Sequence, residues 1–309
     1  VKDSFLELIK MDLKELLSVA NQIREEKKGD IVFTCSIINA KSGQCSENCA
    51  FCAQSKYHKT NIKVYPLLSK EEIIRKASFM KRSGATRFSI VTSGKMPSRR
   101  EIEKISETIR EIKEKVGISV CASLGILDKD MAKMLKDSGL DRYHHNLETS
   151  KSFFSNICTT HSYEEDLKTL EIAKEVGLKV CSGGIIGLGE GWEQRIELAL
   201  TLKELNVDSI PINFLIPIPG TRLENMPLLS SSDALKAIAI LRIINPEKDI
   251  TICGGREKIL RDEQNKIFFA GANGVMIGDY LTTKGRKIED DLKMINELGM
   301  RIEDEEGRA

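Results

Sequence analysis

Short β-rich runs alternate along this chain with longer amphipathic stretches. The apolar runs at 30–36, 86–92, 118–123, 140–148, 178–183, 209–215, 249–254 and 274–278 are bounded by turn residues and read as strands. Between them, 70–82, 99–115, 129–137, 163–175, 193–204, 232–243 and 262–270 carry a charged face and read as helices. A further amphipathic pattern predicts an N-terminal helix at about 5–26. Gly84, Gly117, Gly139 and Gly177 stand where helices hand over to strands, the position a helix C-cap favours for glycine. Eight β-then-α units predict a (β/α)8 TIM-type barrel at about 30–300, preceded by that helix, in a single domain spanning 1–309. A doubly wound open sheet is the alternative, but Lys-Ser-Gly-Gln-Cys stands after the first strand in place of a glycine-rich fingerprint.

Composition narrows the functional classes. The 309 residues are 41% hydrophobic, enough for a sizeable core, and 47 Lys and Arg balance 46 Asp and Glu. A net charge of +1 gives no electrostatic reason to expect a nucleic-acid or anionic-membrane partner. No apolar run approaches the roughly 18 residues of a membrane span, and the Lys- and Glu-studded N-terminus does not read as an export signal, so a cytoplasmic setting is expected. Eight cysteines in such a chain argue against a disulfide framework. Cys45, Cys49 and Cys52 are clustered; Cys35, Cys121, Cys158, Cys181 and Cys253 are scattered singly.

The cluster carries chemistry. Three thiolates spaced C-x3-C-x2-C, on the barrel edge where active sites sit, can hold three irons of a [4Fe-4S] cluster and leave the fourth iron open to a small molecule. Zinc with a water or a fourth ligand is the competing metal. Phe51, directly before the last cysteine, makes the motif resemble the radical S-adenosylmethionine (SAM) superfamily, in which the open iron chelates SAM and the aromatic residue lies near its adenine. Further blocks resemble the biotin synthase family in order and spacing over roughly residues 10 to 300. They begin Cys52-Ala-Gln-Ser, Tyr143-His-His-Asn, Cys181-Ser-Gly-Gly, Ile212-Asn-Phe-Leu, Pro219-Gly-Thr and Gly271-Ala-Asn-Gly. The resemblance implies a homodimeric barrel that takes SAM, dethiobiotin and an electron donor such as flavodoxin or ferredoxin, and draws sulfur from an auxiliary iron–sulfur cluster. Another radical SAM enzyme, of the hydrogenase-maturation or methylornithine-synthase type, and a non-catalytic iron–sulfur electron carrier are the alternatives.

Side chains two apart on a strand share a face, which groups His144, Asn146 and Glu148. The resemblance implies that Glu148 holds the SAM ribose, that Asn146 lies between SAM and substrate, and that Ile216 lies near the adenine. It also implies that Asn213 binds the ureido ring of dethiobiotin. His144, a further candidate substrate contact, stands where the family commonly has Asn.

The auxiliary site departs from the common pattern of three cysteines and an arginine around a [2Fe-2S] centre. Cys121 and Cys181 match two of those ligands, but Ser89 and Thr251 stand at the other two positions. Cys253 shares a face with Thr251, and Cys35 falls near the end of the first predicted strand. Together Cys35, Cys121, Cys181 and Cys253 occupy the first, third, fifth and seventh predicted strands, and alternate strands of such a barrel feed one interior layer. The ligand set resembles a branch of the family holding a four-iron auxiliary centre, favoured here over [2Fe-2S]. Cys158 falls outside the pattern and reads as a bystander. Arg256 reads as solvent-exposed, Gly187 to Glu190 as a tight turn, and Lys95, Arg99 and Arg100 as a charged helix start.

Overall fold

The structure, a computed structural model, describes residues 5–303. Its strands are β1 (Ile31–Lys41), β2 (Arg87–Thr92), β3 (Ser119–Ser123), β4 (Arg142–His144), β5 (Lys179–Cys181), β6 (Gly184–Ile186), β7 (Ser209–Phe214), β8 (Asp249–Ile252), β9 (Gly274–Met276) and β10 (Arg301–Ile302). The ladders run in parallel from β1 through β9, and β9 pairs back onto β1, closing the sheet. Both β5 and β6 pair with β7, so they fill one of eight barrel positions. β10 extends β1 at its start. This is the expected (β/α)8 barrel.

Parallel neighbours require crossovers, and helices supply them. Several start at strong local signals: Ser69 with Glu72, Ser98 with Glu101, and Ser162 with Glu165 each form a capping box. The helix Arg99–Lys115 buries Ile102, Ile105, Ile109 and Ile112 at helical spacing. Each isoleucine contributes about 1.5–3 kcal/mol by leaving water. Strand alternation divides the barrel into two environments. Along β7, Ile210 and Ile212 join the core under the helices, while Ser209, Pro211 and Asn213 line interior cavities. Among the described residues no helix is long and apolar enough to cross a membrane.

An ionic layer closes the barrel floor at the strands' N-terminal ends. Arg87 stacks on the Phe33 ring at 3.6 Å and pairs with Asp249 at 3.0 Å and Glu303 at 3.5 Å. Lys28, at the end of the helix Leu13–Lys28, reaches Asp249 at 3.1 Å. Burial works against the Asp249 carboxylate, but Arg87, Lys28 and Asn273 outweigh it and hold its pKa below the usual range.

Several elements differ from the sequence expectation. The N-terminal helix runs Leu13–Lys28 rather than 5–26, because Asp12 caps it by accepting from the backbone of Lys14 and Glu15; a short 3-10 turn, Glu7–Ile9, precedes it. β1 extends to Lys41, which puts Cys35 in its lower half instead of near its end. The fourth strand stops at His144: Glu148 adopts a left-handed φ of 61°, and the N–H groups of Leu147 and Glu148 turn to the Gly183 carbonyl. The fifth is interrupted at Ser182 and Gly183, where a Cβ on Gly183 would sit 1.9 Å from the Pro211 carbonyl oxygen. The segment 262–270 is broken into the 3-10 turn Arg261–Glu263 and the helix Lys266–Phe269, preceded by the helix Arg256–Leu260. The helix Ile288–Glu297 and β10 carry the fold beyond the last predicted strand.

Arg256 is fully buried, not solvated. It donates to Asp291 at 2.5 Å, to Gln264 at 2.8 Å and to the Met276 carbonyl at 3.2 Å, fastening the helix Ile288–Glu297 to the barrel rim. Its removal takes one of two ionic partners from the buried Asp291 carboxylate and leaves Arg286 at 2.7 Å as the other. Arg256→Met is expected to lower unfolding free energy by about 3–5 kcal/mol in chemical denaturation, with the Arg256→Met/Asp291→Leu pair regaining most of it. A single variant within about 1 kcal/mol of the parent contradicts this role.

Candidate active site

The loop after β1 is held by its backbone before any ligand binds. Ser42 and Tyr65 exchange two hydrogen bonds of 3.1 Å, Cys45 N–H donates to the Gln54 carbonyl at 2.9 Å, and Lys56 N–H returns one to Cys45 at 2.9 Å. Ser55 Oγ donates to the Glu47 carbonyl at 2.5 Å. Within this frame Cys45, Cys49 and Cys52 are half-buried free thiols lining one cavity. Burial pushes the Cys52 thiol up to about 11. The Cys49 thiol is pushed up by its contact with Cys158 and by burial. Thiols so placed become ligands only when a cation offsets the desolvation of three thiolates, which is the chemistry of an iron–sulfur or zinc site.

Behind the loop stands a polar ladder. His144 Nε2 lies 2.9 Å from Asn146 Oδ1, Asn146 Nδ2 donates to Glu148 Oε2 at 3.3 Å, and the Gly183 N–H donates to Asn146 Oδ1 at 3.1 Å. The three side chains share one face as expected, although the strand has ended, because the Glu148 bend keeps the carboxylate directed inward. Left-handed backbone at a glutamate is costly and marks a constrained site. Burial pulls His144 down to about 4, so it is neutral at pH 7. Burial, with the Asp166 charge, raises Glu148 to about 8 against the Asn146 hydrogen bond.

A cavity of about 290 Å³ opens beside this ladder. Phe51, Cys52, Asn146, Glu148, Asn213, Ile216, Tyr280, Cys253 and Met276 are among its lining. The Gly254 N–H donates to Asn213 Oδ1 at 3.0 Å, which fixes the amide's orientation. The expected SAM and substrate residues thus meet in one space.

Deeper in the barrel, Cys35, Cys121, Cys181 and Cys253 line a single further cavity with Arg87, Ser89, His144 and Thr251. Strand register brings them there. Cys121 lies opposite Ser89 and Arg142, Cys181 opposite His144, and Cys35 opposite Arg87 and Met276. Cys253 lies just past β8, anchored by its N–H to the Ile212 carbonyl at 2.8 Å. Burial pushes Cys35 up to about 12, while a hydrogen bond from Cys121 and the charges of Arg142 and Arg87 draw the Cys181 thiol down against burial. Ser89 Oγ and Arg142 Nε are buried without a hydrogen-bond partner. Four convergent thiols beside two arginines and orphaned donors fit a group that is cationic at its metals and accepting at its sulfides.

Cys158 is not a bystander. Its Sγ lies 3.8 Å from Cys49 Sγ and 3.2 Å from His161 Nδ1. Its contact with Cys49 and hydrogen bonds from His161 and Thr160 draw it down to about 3 against burial. Burial opposes charge on His161, but Asp166, Cys158 and Glu47 outweigh it and hold its pKa up to about 11. His161, Glu47 and Asp166 were not singled out from sequence; the Cys158-x2-His161 spacing was the available signal. Lys95 pairs with Glu165 at 2.9 Å, Arg99 pairs with Glu103 at 3.3 Å, and Glu190 accepts from Gly187 N–H at 2.9 Å within the expected turn.

Glu148 yields a test in the ligand-free chain. Its folded pKa is raised above the unfolded value, so the unfolded state binds fewer protons between about pH 4.5 and 8, and stability falls as pH rises through that window. Glu148→Gln is expected to remove this component. The stability difference between variant and parent, followed by denaturation across the window, should widen in the variant's favour as pH rises; a flat difference refutes the assignment.

Comparisons agree with this geometry. Residues 41–202 match the family model of the Radical SAM superfamily, and 211–301 match the Biotin and Thiamin Synthesis associated domain. Biotin synthase of Citrifermentans bemidjiense is 52% identical over 290 residues, covering 94% of this chain and 88% of that protein. Biotin synthase of Thermodesulfovibrio yellowstonii is 54% identical over 288 residues, covering 93% and 90%. Among solved structures, methylornithine synthase superposes with a TM-score of 0.85 at 21% identity, covering 98% of this chain and 94% of that one. A maturase of the [FeFe]-hydrogenase gives 0.83 at 19% identity, covering 98% and 72%. The last two share the fold; the sequence relatives decide the family. With its three-cysteine loop, its inward polar ladder and these relatives, the chain belongs to the biotin synthase family of the radical SAM superfamily.

Proposed function

We propose that this enzyme converts dethiobiotin to biotin, with Cys45, Cys49 and Cys52 holding a SAM-binding [4Fe-4S] cluster and Cys35, Cys121, Cys181 and Cys253 holding an auxiliary four-iron cluster. One observation supports the reading above others. The ligand cavity is lined by Cys52 of one thiol set and by Cys253 of the other, so a molecule filling it touches both sets. When bound, the SAM cluster supplies the radical chemistry that removes hydrogen from unactivated carbon, and the auxiliary cluster supplies sulfur.

The chain's own residues do the positioning. Phe51 and Ile216 offer apolar surface for an adenine, and the inward Glu148 carboxylate can accept from ribose hydroxyls. Asn146, tied to Gly183 and Glu148, has its amide orientation set. Asn213, oriented by Gly254, can pair with a ureido ring, which presents both a carbonyl and N–H groups. Neutral His144 lines both the ligand cavity and the four-thiol cavity, so it contacts substrate without adding charge beside the sulfurs. Burial of these groups excludes water from the reacting carbons.

The two matched segments act as one barrel domain in this reading, since β1 of the first pairs with β9 of the second. A homodimer, an electron donor such as flavodoxin or ferredoxin, and a cytoplasmic setting come with the family.

Anaerobically reconstituted protein given reductant, SAM and dethiobiotin is expected to yield biotin and 5′-deoxyadenosine; absence of deoxyadenosine overturns the radical assignment. Iron analysis with Mössbauer spectroscopy should find about eight irons per chain, whereas about six indicates a two-iron auxiliary centre. Cys253→Ala and Cys35→Ala should each disrupt the auxiliary signal while SAM cleavage persists. Replacing Cys45, Cys49 and Cys52 together by Ala should leave that signal in place. Intact auxiliary spectra in both single variants remove Cys35 and Cys253 from the ligand set.

A further inference from the structure

Cys49, Cys158 and His161 bring two sulfurs and one imidazole nitrogen within 4.8 Å of one another. The grouping is built, not incidental. Ala50 N–H donates to the Ile157 carbonyl at 2.8 Å, Thr159 N–H to Asn48 Oδ1 at 2.9 Å, and Asn48 N–H to Thr160 Oγ1 at 3.1 Å. These bonds lace the loop carrying Cys49 to the segment carrying Cys158 and His161.

The spacing is that of a metal site. Tetrahedral ligation with Zn–S bonds of about 2.3 Å separates two sulfurs by about 3.8 Å. Cys49 and Cys158 already stand at 3.8 Å. The Cys158 Sγ to His161 Nδ1 distance of 3.2 Å is a little shorter than the roughly 3.6 Å such a site takes, a difference that side-chain rotation absorbs. With Nδ1 as the ligand atom, His161 Nε2 keeps its place 3.5 Å from Asp166 Oδ2, the carboxylate–histidine arrangement that orients zinc-bound imidazoles. Glu47 Oε2, 2.7 Å from that Nδ1, is released to the fourth position or leaves it to water.

We propose that these three residues form a one-ion site for a borderline-soft divalent cation such as Zn(II), and that its occupancy excludes the iron–sulfur cluster of the loop because both require Cys49. Ion binding displaces the Cys49 thiol proton and the His161 imidazolium proton to solvent and takes up no electrons. The loop therefore has two alternative metal states. In one, Cys49 faces Cys45 and Cys52 across a cluster; in the other, it pairs with Cys158. The ion site shares only Cys49 with the proposed radical machinery and stands without it, whereas the exclusion rests on the cluster assignment of Cys45, Cys49 and Cys52.

The test uses the full chain carrying Cys35→Ala and Cys253→Ala as the parent, so that the four-thiol cavity does not compete, stripped of iron by chelation under reductant, with Zn(II) and Co(II) as probes. The parent is expected to bind one Zn(II) per chain, and Co(II) to give a thiolate charge-transfer band with the intense d–d bands of tetrahedral ligation. Cys158→Ala and His161→Gln should each weaken Zn(II) binding at least tenfold. The Cys45→Ala/Cys52→Ala double variant should keep it. Zinc-loaded parent should also take up iron and sulfide more slowly than zinc-exposed Cys158→Ala. Binding lost in the double variant and kept in Cys158→Ala puts the ion on the three-cysteine loop and overturns the proposal, as does a parent that binds no zinc.

Discussion

The pairing of β9 with β1 is the constraint on which the rest depends. Until the sheet closes, Cys35 and Cys253 belong to opposite ends of the chain and have no reason to meet. Closure sets Cys35 against Met276 and brings the end of β8 within reach of both. It also presses Phe33 onto Gly274, where any side chain would collide with the ring. A glycine at that register is thus a condition of closure, and closure is a condition of both thiol sites facing one interior.

A barrel interior is ordinarily filled by layers of branched apolar side chains. Here that packing is given over to thiols, amides and charges, and the stability it would supply comes from outside the strands. Isoleucines on the crossover helices and the outward strand residues form the continuous core. The interior charges are admitted only with partners: Arg87 with Asp249 and Glu303, Arg256 with Asp291. Where the partners run out, at Ser89 Oγ and Arg142 Nε, the unpaired atoms lie beside the four thiols. Those two atoms stand where a prosthetic group could partner them.

Much of this was legible in the chain because periodicity and spacing are local properties. Amphipathic periodicity located Lys70–Arg82, Arg99–Lys115 and Tyr163–Glu175 to the residue, and alternation grouped His144, Asn146 and Glu148 on one face. The misreadings share one cause. The bend at Glu148, the break at Gly183 and the burial of Arg256 each follow a distant neighbour, respectively the Gly183 carbonyl, the Pro211 carbonyl and Asp291, which no window of sequence contains. Cys158 was set aside for the same reason: its partner Cys49 is on a different loop, and the lacing through Asn48 and Ala50 brings them together. The convergence of the four scattered cysteines could be anticipated because it follows from barrel symmetry, a global rule that sequence order does reveal.

The ionic floor has a consequence for traffic. With Phe33, Arg87, Asp249 and Lys28 packed across the strand starts, the vessel is stoppered at its base, and the four-thiol cavity communicates upward through Ser89, His144 and Cys253 into the ligand cavity. Anything installed at the bottom must arrive before the ligands above it, and anything renewed there must wait for them to leave. Loading and unloading follow the order of a stack.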